Sequence, residues 1–169
     1  GVSLYVVRSA QKRDNRRITI AAFCTAAAFA IFQISTPVFG GVHINLTPLI
    51  GILTGPAIGP LVVLIINILS AAIGHGGWGM IGANTLVNIA EVAVAYATWR
   101  LLKPCIPGHF PRAGIATIAG LLCGNVVMIL IIVISGVQGV TQGPSQILAG
   151  LSLLAAVNMG VAVIEAFVT

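Results

Sequence analysis

From Ile18 to Ala90 the chain carries no Asp, Glu, Lys or Arg, and from Ala113 to Ile164 it carries none again. A pass through hydrocarbon takes about 20 apolar residues, so each stretch is long enough for more than one. Only 7% of the residues are charged and 58% are apolar, against about 25% charged in a soluble domain. These are the marks of a polytopic, all-α membrane protein. The formal charge of +5 does not point to nucleic acid, because the basic residues fall in two clusters that flank apolar runs and read as topology signals.

The first cluster, Arg8 to Arg17, holds Arg8, Lys12, Arg13, Arg16 and Arg17 against one Asp14, a density that the hydrocarbon cannot hold and that is placed in the cytoplasm. Gly1 to Val7 reads as the tail of a hydrophobic segment, so one further N-terminal helix is expected upstream. The first complete span is expected over Ile18 to Ile34. Within it Ala22, Ala26 and Ala30 recur every four residues, a spacing that lets another helix approach closely in lipid. Two uses remain open for that stripe: packing inside the bundle, or docking a partner subunit. Cys24, Cys105 and Cys123 have neither redox nor zinc spacing and receive no function.

Topology turns on Leu46 to Ile73. As one long helix it would put Arg100, Lys103 and Arg112 outside, against the positive-inside expectation. Gly55-Pro56 and Gly59-Pro60 interrupt the helical ladder. Two short helices are therefore expected, about Leu46 to Ala57 and Leu61 to Ile73, running in and back out. This arrangement brings the loops of His43 and His75 to one face. A fourth helix follows over Ile81 to Leu102, with Asn84, Asn88 and Glu91 on one side by their spacing. After the basic loop Lys103 to Arg112, which contains His109, a fifth helix is expected over Ala113 to Ser135, with Gly120, Gly124 and Asn125 as a close-approach face. The outer loop Gly136 to Pro144 carries Gln138, Thr141 and Gln142, and the last helix, Ser145 to Thr169, carries Asn158 and Glu165. The whole is expected to be one integral membrane domain of about six helices, residues 1–17 cytoplasmic and 18–169 the bundle.

No nucleotide-binding loop, metalloprotease helix, serine-hydrolase elbow or dinucleotide fingerprint occurs, so an ATP-driven function would need another subunit. What remains is imidazole, amide and carboxylate chemistry in polar loops between Gly40 and Asn88, a stretch without a charged side chain. Imidazole suits cobalt, nickel, zinc and copper. A histidine in such a loop is either hydrogen-bonded or ligating, and the residues alone leave both readings open for His43 and for His75. Glu91 and Glu165 are likewise open between hydrogen-bonding or helix-end groups and proton carriers.

The run Val42-His43-Ile44-Asn45-Leu46-Thr47-Pro48-Leu49-Ile50-Gly51-Ile52-Leu53-Thr54-Gly55-Pro56, followed by Gly74-His75-Gly76-Gly77 and Gly82-Ala83-Asn84-Thr85, resembles the CbiM/NikM family. These are the substrate-capturing membrane components of energy-coupling-factor transporters for cobalt and nickel. The resemblance implies a helical bundle that takes Co2+ or Ni2+ as transported substrate at the outer face of the cell membrane, without an organic cofactor. The partners it implies are an energy-coupling transmembrane subunit, a pair of ATPases and a small accessory membrane protein. It implies His43 as a metal ligand beside an N-terminal Met-His that this chain, opening at Gly1, does not display. It also implies His75, Asn45, Thr47 and Asn84 as supporting groups that orient the ligands. Two other classes stay open: a vitamin-binding component of the same transporter group, against which the 6% aromatic content counts, and an intramembrane enzyme built on His43, His75 and Glu91.

Overall fold

The computed structural model describes residues 2–32, 44, 46–75, 77–135 and 144–169, with the side chains of 2–14, 17, 32, 144–148 and 154 left aside. Every regular element among them is helical, in the order α1 (Val2–Phe32), α2 (Thr47–Ala72), a 3-10 turn (Trp78–Met80), α3 (Ile81–Leu101), α4 (His109–Ser135) and α5 (Pro144–Val168). Four helical stretches are long and apolar enough to cross a membrane, and Ile18–Ile31 is a shorter apolar one. The all-α expectation holds.

The basic cluster and the first apolar span form one continuous helix, α1, rather than separate segments. Its buried face is Ala21, Cys24 and Ala28, which join Ile50, Val62, Val63 and Ile66 of α2 and Val92 of α3 in a single apolar core. At roughly 25 cal/mol per Å2 removed from water or its equivalent in packing, alanines contribute little area. Their value here is that they allow backbones to come close.

α2 is broken at the first of the two Gly-Pro pairs, whereas Gly59-Pro60, expected to lie between two helices, stays within the second arm. Gly55 has φ 78° and ψ 177°, outside the helical region, in a conformation open to glycine at little cost. Pro56 and Pro60 remove the N–H groups that the carbonyls of Ile52 and Pro56 would otherwise accept. The two arms fold back on each other, as their neighbours on α3 show. A β-carbon on Gly51 would meet the backbone of Val92 and one on Gly59 the side chain of Val92, while Gly55 faces the ring of Tyr96 at 3.6 Å. In a straight helix Gly51 and Gly59 would stand about 12 Å apart along the axis and could not share Val92. Beyond the bend the second arm climbs antiparallel to α3, and Asn67 Nδ2 donates to Thr85 Oγ1 at 3.2 Å. Counting both arms, the described residues form six α-helical pieces; the first arm, residues 47–54, is short as expected, whereas the second, residues 56–72, is longer than the expected Leu61 to Ile73.

The second arm ends in a tight motif. Gly74 N donates to Ala71 O at 3.0 Å and His75 N to Ser70 O at 2.8 Å, with Gly74 at φ 85°. This is a Schellman closure, which needs a left-handed residue and finds glycine. α4 begins at His109, four residues earlier than expected, because Pro111 falls within its first turn, where a missing N–H costs nothing. α4 and α5 run antiparallel: Gly114 lies against Ala166, and Asn158 Nδ2 donates to Asn125 Oδ1 at 2.8 Å.

Candidate functional site

The interior holds a polar layer where three helices approach within backbone distance. On α3, Asn88 and Glu91 are buried and Asn84 is half-buried, so the expected polar stripe faces inward. Opposite it α4 presents Gly120 and Gly124. A β-carbon on Gly120 would stand 2.9 Å from Glu91 O and 3.1 Å from Ala95 Cβ, and one on Gly124 would collide with the Glu91 carboxyl group. The glycines are what allow a carboxylate to lie between α3 and α4.

The first arm of α2 enters this layer at its N-terminus. Thr47 is 2% exposed, and its hydroxyl donates to the Glu91 carboxylate, while Pro48 Cγ lies 3.5 Å from where a Gly120 β-carbon would be. Glu91 is 4% exposed, and its Oε2 has no partner among the described residues. Thr117 Oγ1, also fully buried, has none either. On the helix ladder, Glu165 of α5 stands level with Thr117 and is 1% exposed. Buried polar groups are expensive in an apolar interior, and these three fall within the same part of the bundle, between α3, α4 and α5.

Of the residues implicated by sequence, Thr47 is thus tied to Glu91, a contact that spacing alone did not suggest. His75 is half-buried at the C-terminal end of the second arm, and Asn84 lies at the start of α3 near that end. About 9 Å of helix separates Thr85 from Glu91, and His75 lies beyond Thr85 again, so Thr47 and His75 belong to different levels of the bundle. His43, Asn45 and the loop residues 136–143 lie outside the described residues. Among the described residues no three His, Cys, Asp or Glu side chains converge as a metal site. On α1, Ala22, Ala26 and Ala30 are all exposed, so the stripe is not used for packing within the described chain.

Sequence reasoning placed Arg112 in the basic loop as a topology signal. It is instead 5% exposed on the first turns of α4, its guanidinium carbon 3.6 Å from the centroid of Trp99, with His109 on the same ring at 6.0 Å. The available signal was Trp99 beside Arg100, an aromatic ring at a helix end where a planar cation can stack.

The family model for the cobalt uptake substrate-specific transmembrane region matches residues 1–169, the whole chain. The chain belongs to the CbiM family. That is a family of transporter components and not of enzymes, and it makes this chain a cobalt-uptake, substrate-specific component of a multi-pass kind in the plasma membrane. Membership also implies membrane subunits with which a CbiM component works. No curated protein and no solved structure matches the chain significantly.

Proposed function

We propose that this CbiM protein captures cobalt, or nickel, at the outer face of the cell membrane and delivers it to an ATP-driven importer. The observation that carries the reading is the family match over the entire chain, joined to a bundle whose polar groups gather where the first arm of α2 begins. His43, four residues upstream of Thr47, is the proposed protein ligand, with Asn45 and Thr47, close to it in sequence, and Asn84 and His75, at a different level of the bundle from Thr47, as the proposed orienting groups. Imidazole and other nitrogen donors select cobalt and nickel over magnesium and calcium by ligand type.

The chain acts as a single integral membrane domain. Residues 1–17 and Lys103 to Arg112 face the cytoplasm, because their cations are excluded from hydrocarbon and retained inside. His75 and the start of α3 then face outward, since α3 runs from Ile81 to the basic loop. Energy comes from other subunits: an energy-coupling transmembrane protein, a pair of ATPases and a small accessory membrane protein. The exposed Ala22, Ala26 and Ala30 form the face on which the coupling subunit docks, a surface without bulk that admits a second helix closely.

The test is calorimetric titration of the purified protein with Co2+ and Ni2+, compared with His43→Ala and with a chain extended upstream by a helix opening Met-His. Tight binding in the extended chain that His43→Ala abolishes supports the reading. Equal binding with and without His43 removes the proposed ligand and returns the vitamin-binding alternative.

A further inference from the structure

Leu46 and the start of α2 are held against α3 and α4. Leu46, the residue before α2, is 6% exposed and has φ 50° and ψ 18°. The left-handed region costs a residue with a β-carbon about 1–2 kcal/mol, and such a conformation persists only where its surroundings over-determine it. The surroundings of Leu46 supply three such constraints. Ile50 N donates to Leu46 O at 3.0 Å, Pro48 packs on Gly120, and the Thr47 hydroxyl is fixed on the Glu91 carboxylate. Glu91 itself has no room to swing, because its carboxyl group fills the space over Gly124 and its own carbonyl abuts Gly120.

We infer that Glu91 is a positioning residue for metal capture: by holding Thr47, a proposed orienting group, it fixes the start of α2 with Leu46 in its left-handed conformation, a few residues after the proposed ligand His43 in sequence. Glu91 touches no metal in this scheme. The inference rests on the capture reading given above. It assigns a role to a buried carboxylate that a packing account leaves unexplained, since an apolar side chain against two glycines would fill the same space without a desolvation cost.

The test uses the full-length protein in detergent, titrated with Co2+ and followed both by calorimetry and by the visible ligand-field absorption of the bound ion. Thr47→Val keeps the shape and removes the hydroxyl. Its cobalt affinity should fall roughly 10- to 100-fold, as when a group that orients a ligand is lost, and the absorption band should shift because donor geometry is no longer held. Thr47→Ser retains the donor and Glu91→Gln retains an acceptor in its amide oxygen, so both should keep affinity and spectrum. A purely structural role would lower the melting temperature of Thr47→Val without moving the spectrum of the cobalt it still binds.

Wild-type affinity and spectrum in Thr47→Val overturn the inference, and so does loss of binding in Glu91→Gln. Glu91→Leu, which removes the acceptor altogether, should lose affinity as Thr47→Val does, and wild-type affinity and spectrum there overturn the inference even if the valine variant does not fold. His43→Ala, measured alongside, separates the two readings. If it abolishes binding while Thr47→Val is silent, the capture site stands and the brace fails; if His43→Ala binds like wild type, both fall.

Discussion

Gly51→Ala is the most direct probe of the bent α2. The added β-carbon would stand 2.5 Å from Val92 O and 2.9 Å from Val92 Cα, where ordinary contact begins at 3.4 Å. Both atoms are backbone, so no rotamer change relieves the clash, and the first arm must retreat from α3 by roughly an ångström. Overpacking of this kind costs about 1–3 kcal/mol, and the upper end applies because α4 braces α3 from the other side through Gly120. Helix propensity returns about 1 kcal/mol on going from glycine to alanine. The net destabilisation is about 2 kcal/mol, or roughly 30-fold in the folding equilibrium. Gly160→Ala is the control, because its β-carbon would meet nothing within 4 Å, and it should be neutral or stabilising. The assay is unfolding in mixed micelles of increasing SDS content, followed by far-ultraviolet circular dichroism. Gly59→Ala sharpens it, since its clash is with Val92 Cγ1 at 2.6 Å, a side chain that Val92→Ala removes. The second substitution should rescue Gly59→Ala and leave Gly51→Ala unrescued. Equal stability of Gly51→Ala and Gly160→Ala, or rescue of neither or both glycine variants by Val92→Ala, would refute the folded-back arrangement.

Four further outcomes follow from the same geometry. A double-mutant cycle with Asn125→Leu and Asn158→Leu should give a coupling of about 0.6 kcal/mol and not above roughly 1.7, the range for hydrogen bonds between helices in lipid, read by the same unfolding assay. Arg112→Lys should lose about 0.5–2 kcal/mol, because an ammonium cannot stack on Trp99 as a guanidinium does; a changed tryptophan emission spectrum would accompany the loss. Ala26→Leu should leave the isolated bundle folded and weaken co-purification with the energy-coupling subunit, whereas unchanged assembly would show that the exposed alanines face lipid only. A cysteine placed at Gly77, which is exposed, should be labelled from outside in intact cells, and labelling only after the membrane is opened would reverse the proposed orientation.

The architecture was legible because membrane helices announce themselves by composition and their breaks by chemistry. Two uncharged stretches gave the passes, and Gly55-Pro56 with Gly59-Pro60 gave the bend, which positive-inside reasoning demanded independently. Gly120 and Gly124 could be recognised as a close-approach face because in lipid a glycine pair one turn apart has few other uses. The start of α4 was misplaced for the converse reason. The basic loop was expected to run to Arg112, read as a cytoplasmic charge, although Pro111 is permitted in the first turn of a helix that begins at His109. Arg112 is buried because Trp99, thirteen positions earlier and across a loop, offers its face, and no periodicity on α4 alone contains that information.

The site was legible in parts but not in its connections. Thr47 stood out through its motif and Glu91 through its stripe with Asn84 and Asn88, yet Glu91 lies 44 positions after Thr47 and nothing in either pattern joins them. The link depends on how far the first arm sinks before the chain turns at Gly55, and that depth is set by side-chain volume: Gly51 admits the Val92 backbone, Gly59 admits its side chain, and Gly120 admits Pro48. Helical spacing fixes which face a residue occupies, whereas the register between helices is fixed by where bulk is missing. A threonine at the start of a half-helix and a carboxylate midway along another can therefore meet only because the glycines between them were placed to let the backbones close. The consequence is that substitutions at these glycines should disturb metal capture as well as stability, since they move Thr47 relative to Glu91 without touching either.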